Sequence, residues 1–291
     1  MDPTDWQLTG DLDEFLSRAA AFLHSHPALH TVPLTVADAL RRRGLHIFGD
    51  EPPLFGTLGG LGGGPVRAAL FHTPPLPVHI TPVTDGEADA LAARLADRGH
   101  PVPGVVAARD TAAAFVRSWQ RHTGAPADLH QRQRLYRLAE LVMPAPPPQG
   151  RARTAGPADR ELVARWYGEF MHAVGLRANE DAGAWADARI SYGGITLWES
   201  PDGTPVSMAG VTRDIAGQTR VAPVYTPAHL RGHGYAGAVT AEVSRAALER
   251  SVGEVLLFTD LANPTSNGLY QRIGYRGVAD FAVYGFGGRD L

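Results

Sequence analysis

Apolar positions along this chain follow two rhythms, and their alternation sets the expected architecture. Leu12, Phe15, Leu16, Ala19, Phe22 and Leu23 fall on one face of a helix that Asp11 can cap. A second helix is predicted from about Val36 to Arg43, stopping at Gly44. The period then shortens: His46-Ile-Phe-Gly49, Leu54 to Leu58, Val66 to His72 and Val78 to Thr81 read as strands. Gly59-Gly-Leu-Gly-Gly-Gly64 reads as a hairpin tip, because no helical pattern follows to make it a phosphate loop. Helical spacing returns from Glu87 to Arg98, with a strand at Val105 to Ala108. A helix from Ala112 to His122 turns Phe115, Val116 and Trp119 inward, and Arg134 to Val142 alternates as a strand.

Met143-Pro-Ala-Pro-Pro-Pro-Gln-Gly150 interrupts the pattern, since clustered prolines remove backbone donors and favour an extended chain. The expected division is 1–142, a linker at 143–150, and 151–291. The second half opens with a strand at Arg151 to Ala155. A helix follows, with Pro157 near its first turn and Leu162, Trp166, Phe170 and Val174 on one face. Asn179 to Ser191 is partly helical. Ile195 to Glu199 and Val206 to Arg213 are strands joined by Pro201-Asp-Gly203, a strong hairpin signal. A strand at Gln218 to Thr226 leads through a loop to a long helix carrying Val239, Val243, Ala246 and Ala247 on one face. A strand at Glu254 to Thr259, a short helix at Ser266 to Ile273 and a strand at Val278 to Phe286 complete the chain.

Candidate chemistry concentrates in that last strand–loop–helix. The turn Arg231-Gly-His-Gly-Tyr-Ala236 opens the long helix, where backbone N–H groups have no helical partners and the dipole adds positive potential. Such a turn can hold a phosphate, with Gly232 and Gly234 letting the ligand approach the backbone; an ordinary strand-to-helix turn would look the same. Asn263, followed by Pro264, is placed to cap the short helix, and Tyr270 lies two turns further on the same face.

Arg231-x-x-Gly234-x-Ala236 resembles the pyrophosphate-binding motif of the Gcn5-related N-acetyltransferase superfamily. Asn263-Pro-Thr-Ser-Asn-Gly-Leu-Tyr270-Gln-Arg-Ile-Gly-Tyr275 resembles a second segment of that family, in the family order. The resemblance covers Arg151 to Phe286, about half the chain. It implies an α/β (α+β) fold, with a mixed, mostly antiparallel sheet flanked by helices. The first half parallels this plan weakly and without the glycine motif, so tandem acetyltransferase-like domains are expected, the N-terminal copy degenerate, with an unrelated α/β domain as the alternative. The resemblance also implies acetyl-CoA as co-substrate. Its pyrophosphate would lie on Arg231, Gly232, His233, Gly234, Tyr235, Ala236 and Gly237, and its pantetheine arm along Val224, Tyr225 and Thr226. Asn263 would bond the arm and Tyr270 would protonate the leaving thiolate. For the base, Glu199, Asp214, His172 and His229 are candidates, with Glu199 at a strand end put first; a water chain is the alternative. The implied acceptor is a primary amine of a small molecule or peptide. A non-catalytic acyl-CoA-binding module is the rival, against which Asn263 and Tyr270 argue. A homodimer is left open.

Composition narrows the field. At 291 residues, 44% hydrophobic and 20% charged, the chain is expected to form two globular domains. A net charge of −3 with no basic stripe points away from nucleic acid and from a membrane surface. There is no cysteine, and none of the 27 cationic residues is lysine, which excludes disulfides, thiolate chemistry and a Schiff-base or P-loop lysine. The histidines are scattered without metal-ligand spacing, so no metal is expected. No apolar run approaches ~20 residues and the start lacks a signal-peptide pattern, so a cytoplasmic protein is expected.

Overall fold

A computed structural model of the chain describes residues 5–59, 64–175 and 181–288. In chain order the elements are β1 (Trp6–Thr9), α1 (Leu12–Ser25), α2 (Thr31–Arg43), β2 (Leu54–Gly59), β3 (Val66–His72), β4 (Val78–Ile80), α3 (Asp85–Asp97), β5 (Gly104–Ala108), α4 (Arg109–Thr123) and β6 (Ala127–Leu138). They continue with β7 (Arg151–Thr154), α5 (Arg160–Ala173), α6 (Ala182–Ile190), β8 (Ile195–Glu199), β9 (Pro205–Val211), β10 (Gln218–Tyr225), α7 (Tyr235–Glu249), β11 (Glu254–Asp260), α8 (Pro264–Arg272) and β12 (Tyr275–Phe286). Two compact units result: residues 1–134 with 279–291, and residues 135–278. Strand β6 therefore begins in the first unit and ends in the second, and β12 does the reverse.

In the first unit the strand order is β1-β2-β3-β4-β5, then the end of β12, then the start of β6. β1 to β4 pair antiparallel, β4 and β5 parallel, and β12 antiparallel to β5 from Phe281↔Ala108 to Gly285↔Gly104. Asp11 caps α1 by accepting from the Asp13 and Glu14 amides. Leu91 and Leu95 of α3 and Phe115 and Trp119 of α4 bury against Ile80, Val105 and Phe286. Phe15 of α1 stacks on Phe55 at 5.1 Å between ring centroids.

The second unit repeats the plan: β7-β8-β9-β10-β11, then the end of β6, then the start of β12. β7 to β10 are antiparallel and β10 and β11 parallel, the same polarities in the same order. Unrelated strand orders would have refuted a duplication; the orders are identical. Leu197 and Met208 face α5 and α6, where Val163, Trp166 and Trp185 pack on them. Their strand neighbours Trp198 and Ala209 face the opposite way, towards Val239 and Val243 of α7.

Three local expectations change. His46 to Gly49 forms turns rather than a strand, and a Cβ on Gly49 would fall 2.4 Å from the Pro74 carbonyl. Trp6–Thr9 is a strand where no element was predicted, and Trp6 Nε1 donates to the Glu87 carbonyl at 3.0 Å. The domain division moves from 142/151 to 134/135, and the chain end returns to the first unit. Residues 143–150 belong to the second unit, where the Gln149 carbonyl accepts from Trp198 Nε1 at 3.2 Å. The hairpin tip expected at 59–64 and the start of the stretch expected at Asn179 fall largely outside the described residues.

Gly274, between α8 and β12, has φ +104°, and a Cβ there would lie 1.7 Å from the Glu140 carbonyl oxygen. Gly274→Ala is expected to cost at least about 2 kcal/mol, measured as the urea unfolding free energy. A change below about 0.5 kcal/mol would show that the turn after α8 and the segment after β6 do not meet this tightly.

Candidate active site

The site begins where two parallel strands part. β10 and β11 pair only at Gln218↔Glu254, Thr219↔Val255 and Arg220↔Leu256. β10 stays with β9 to Tyr225↔Met208, after a register shift between Val221 and Val224. Beyond Arg220 the two parallel strands thus leave an opening, the feature in which an extended ligand can add backbone hydrogen bonds.

At the head of β10 the chain turns through 228–230 into α7. Among the described residues, no amide from Gly232 to Gly237 has an acceptor; the first satisfied one is Ala238, donating to the Gly234 carbonyl at 3.1 Å. Gly232 and Gly234 have φ +84° and +82°, and a Cβ on Gly232 would meet nothing within 4 Å. Glycine is therefore needed here for its left-handed backbone rather than for clearance. Arg231 braces the turn, its Nε donating to the Thr226 carbonyl at 3.0 Å. His233 is exposed and stacks on Tyr235 at 5.6 Å. Ala236 and Gly237 lie in the first helical turn. The bend is not filled by side chains: for Gly234 the nearest atom to an added Cβ is on Pro148, at 3.9 Å. These unpartnered donors fit a diphosphate.

Not every backbone group assigned to the pantetheine arm is free. The Tyr225 carbonyl accepts from Ser207 Oγ at 3.0 Å, and the Thr226 carbonyl takes the Arg231 bond, which leaves Val224 as the better candidate. The Tyr225 side chain turns to the α5 face, where its hydroxyl donates to Glu169 Oε2 at 2.8 Å.

α8 begins at Asn263, whose Oδ1 accepts from the Ser266 amide at 3.0 Å. One lone pair of that side-chain oxygen is thus committed to capping. Tyr270 and Tyr275 form an edge-on pair, ring centroids 6.1 Å apart. Tyr275 is satisfied by Ser244 Oγ at 2.8 Å. Tyr270 is 9% exposed, and its hydroxyl meets no partner among the described residues. Burial pushes the Tyr270 phenol up to about 12, which keeps it protonated at neutral pH. Tyr136 of β6 holds α8: its hydroxyl donates to Asn267 Oδ1 at 2.8 Å and accepts from Gln271 Nε2 at 3.1 Å. No local pattern marked Tyr136, because its segment was assigned to the first half.

Glu199 is not a base. Arg153 Nε lies 2.5 Å from its Oε1 and Arg151 Nε 3.4 Å from its Oε2, both from the paired edge strand β7. The Arg153 guanidinium holds the Glu199 carboxyl below the usual range, the wrong direction for accepting a proton near pH 7. Asp214 is taken by Arg250 at 3.0 Å, and His172 and His229 are exposed. Glu169, the partner of Tyr225, was not anticipated; a single glutamate on a helix carries no signal in sequence. No cluster of three metal-ligating side chains occurs among the described residues.

The corresponding turn of the first unit is closed. It runs from Ile80 into α3 without glycine until Gly86, and Glu87 Oε2 accepts from the Thr84 amide at 2.8 Å. Asp85 and Glu87 put negative charge in the first turn, where an anion would have to sit. The first unit's turn is thus closed at the position where the second unit's is open.

A split parallel pair ending at an uncapped, glycine-bearing helix start, in a plan present twice, is the fold of tandem Gcn5-related N-acetyltransferase structures. Residues 205–282 match the family described as FR47-like protein. The chain is similar to a Gcn5-related N-acetyltransferase from Sphaerobacter thermophilus, at TM-score 0.64 and 18% identity over 96% of this chain and 94% of that one. It is also similar to a GNAT-family acetyltransferase from Colwellia psychrerythraea, at 0.59 and 11% over 97% and 98%. A tandem GNAT protein from the clavulanic acid biosynthesis pathway matches at 0.56 and 14% over 97% and 98%. No curated protein matches the sequence. Among the described residues no helix is long and apolar enough to cross a membrane.

Ala236→Glu separates helix stability from anion binding. The new carboxylate in the first turn should stabilise α7 by about 0.3–1 kcal/mol. It should weaken coenzyme A binding about tenfold or more, by calorimetry, through repulsion of the diphosphate. Undiminished affinity would move the diphosphate elsewhere. Glu199→Gln tests the ion pair. A carboxylate held below its unfolded value stabilises the fold above about pH 4 and loses that contribution as pH falls through this range. The variant's urea midpoint should therefore lie below wild type at pH 7 and converge with it in acid; a constant offset would mean the ion pair is not the cause.

Proposed function

We propose that this protein transfers an acetyl group from acetyl-CoA directly to a primary amine of a small molecule or peptide. The observation that carries the reading is the run of unpartnered amides from Gly232 to Gly237 at the mouth of the β10–β11 opening. Acetyl-CoA would supply the acyl thioester. The amides of 232–237 would hold its diphosphate, with Arg231 fixing the turn and Val224 offering backbone groups to the arm. Transfer forms a C–N bond and breaks a C–S bond; the amine gives up a proton and the sulfur takes one. Tyr270 suits the second task, since its hydroxyl is protonated, unpartnered among the described residues, and carried on α8 beside α7. Glu169, facing the α5 side of β10, is the carboxylate placed to draw the amine in, directly or through water. A cytoplasmic location is part of this proposal, as the compartment in which acetyl-CoA is at hand.

Tyr270→Phe is expected to lower kcat about 10²-fold while changing the KM for acetyl-CoA little, followed as thiol release with a panel of amines. Unchanged turnover would remove Tyr270 from the chemistry. Tight coenzyme binding without thiol release to any amine would favour a non-catalytic acyl-CoA-binding module.

A further inference from the structure

The sheet of the second unit has two faces, and the site uses both. On the α7 face lie the amides of 232–237 that meet no acceptor among the described residues, and Tyr270 packs there with Val221 and Val239. A coenzyme whose diphosphate rests on those amides occupies that face. An acceptor meets its thioester without collision from the other side of the β10–β11 opening, the α5–α6 face. Tyr225, the last residue of β10, turns its side chain to that face, among Val163, Trp166 and Met208. Its ring lies 6.2 Å from that of Trp166.

The end of β10 is pinned where β11 has already left it. Ser207 Oγ of β9 donates to the Tyr225 carbonyl at 3.0 Å and lies 2.8 Å from Thr226 Oγ1. Tyr225 is 9% exposed, and its hydroxyl donates to Glu169 Oε2 at 2.8 Å. Glu169 stands on α5 with its side chain 43% exposed, so it connects this buried hydroxyl to water. Its other oxygen, Oε1, lies 4.0 Å from Arg165 Nε, beyond hydrogen-bond range. Burial, then Glu169, push the Tyr225 phenol up, so it stays protonated at neutral pH. The contrast with Tyr270 is chemical. A phenol that meets no acceptor has a proton to give. A phenol already donating to a carboxylate can take a proton on its oxygen as its own passes on.

We propose that Tyr225 is a catalytic residue that relays a proton from the acceptor amine to Glu169. This rests on the transferase reading above and adds the other half of its proton traffic. The acceptor arrives as an ammonium ion. One N–H proton moves to Tyr225 Oη as the Tyr225 proton moves to Glu169 Oε2, and Glu169 releases that proton to solvent. The neutral amine then attacks the thioester carbonyl. The C–N bond forms, a second proton leaves nitrogen by the same path, and the C–S bond breaks as Tyr270 protonates sulfur. Tyr270 regains a proton from solvent. Ammonium and thioester thus become amide, thiol and one proton in solvent, and Tyr225 is left neutral at each step.

Two measurements test it, and the first needs no turnover. 3-Fluorotyrosine is incorporated into the full-length protein, and the Tyr225 ¹⁹F signal is assigned by its absence from Tyr225→Phe. Followed by that signal, the titration of the phenol should move to lower pH in Glu169→Gln, because the carboxylate no longer opposes the phenolate. It should stay in place in Glu161→Gln, which removes an exposed carboxylate of the same helix. The second measurement is thiol release from acetyl-CoA with a panel of primary amines. Tyr225→Phe and Glu169→Gln should each lower kcat about tenfold or more, with the KM for acetyl-CoA little changed. The double variant should be no slower than the worse single one, since both break the same path. A tyrosine that only packs would lower the urea unfolding midpoint instead, and its loss would combine independently with that of Glu169. A phenol titration that ignores Glu169→Gln, full turnover in Tyr225→Phe, or losses that multiply in the double variant overturn the relay and leave the transferase reading in place. No thiol release from wild type with any amine removes the transferase reading and the relay together.

Discussion

Backbone donors and acceptors must be satisfied, and the second unit is arranged around the few that are not. Sheets and helices pair nearly all such groups with each other. Here one parallel ladder stops after Arg220↔Leu256, and one helix starts with amides, Gly232 to Gly237, that meet no acceptor among the described residues. The two gaps adjoin along a single strand and turn. Everything nearby serves to hold them open: the left-handed glycines, the Arg231 brace to Thr226, and the commitment of Ser207 to the Tyr225 carbonyl. A ligand with an amide-bearing arm and a diphosphate would complete what the fold leaves incomplete. In the first unit the same position is completed from within, by Glu87 folding back on the Thr84 amide. The protein thus displays one backbone plan with two ways of meeting the same requirement.

Much of this plan was legible in the sequence. The helix faces around Leu91, Phe115, Trp166 and Val239 were readable because burial on one side imposes a 3.6-residue period. The Pro201-Asp-Gly203 hairpin and the stops at Gly44 and Gly274 were readable because few residues tolerate those turns. The glycine turn and Tyr270 were readable as a motif, because a left-handed backbone at Gly232 and Gly234 restricts which residues can stand there. What was missed is tertiary. Glu199 sits at a strand end like a catalytic carboxylate, and only the pairing of β7 with β8 brings Arg151 and Arg153 onto it. Asn263 was legible as a cap, and a cap is what its Oδ1 forms. His46 to Gly49 has strand composition, yet Gly49 must lie against Pro74, which only the folded chain reveals.

The α5–α6 face shows a further division of labour. The Tyr225 carbonyl accepts from Ser207 on the neighbouring strand while its hydroxyl donates to Glu169, linking the head of β10 to α5. Tyr136 does for α8 what Arg231 does for the turn, fixing an element without itself offering chemistry. Chemistry and support come from different stretches of the chain, which is why local patterns reported the first and not the second.

The exchange of β6 and β12 means that neither unit is made from one continuous stretch of chain. In the first unit the end of β12 is an interior strand, lying between β5 and β6. That strand follows the whole of the second unit in the sequence. Cutting the chain between residues 134 and 135 would deprive the N-terminal piece of a strand that two others pair with, so the two copies cannot be parted at a single peptide bond.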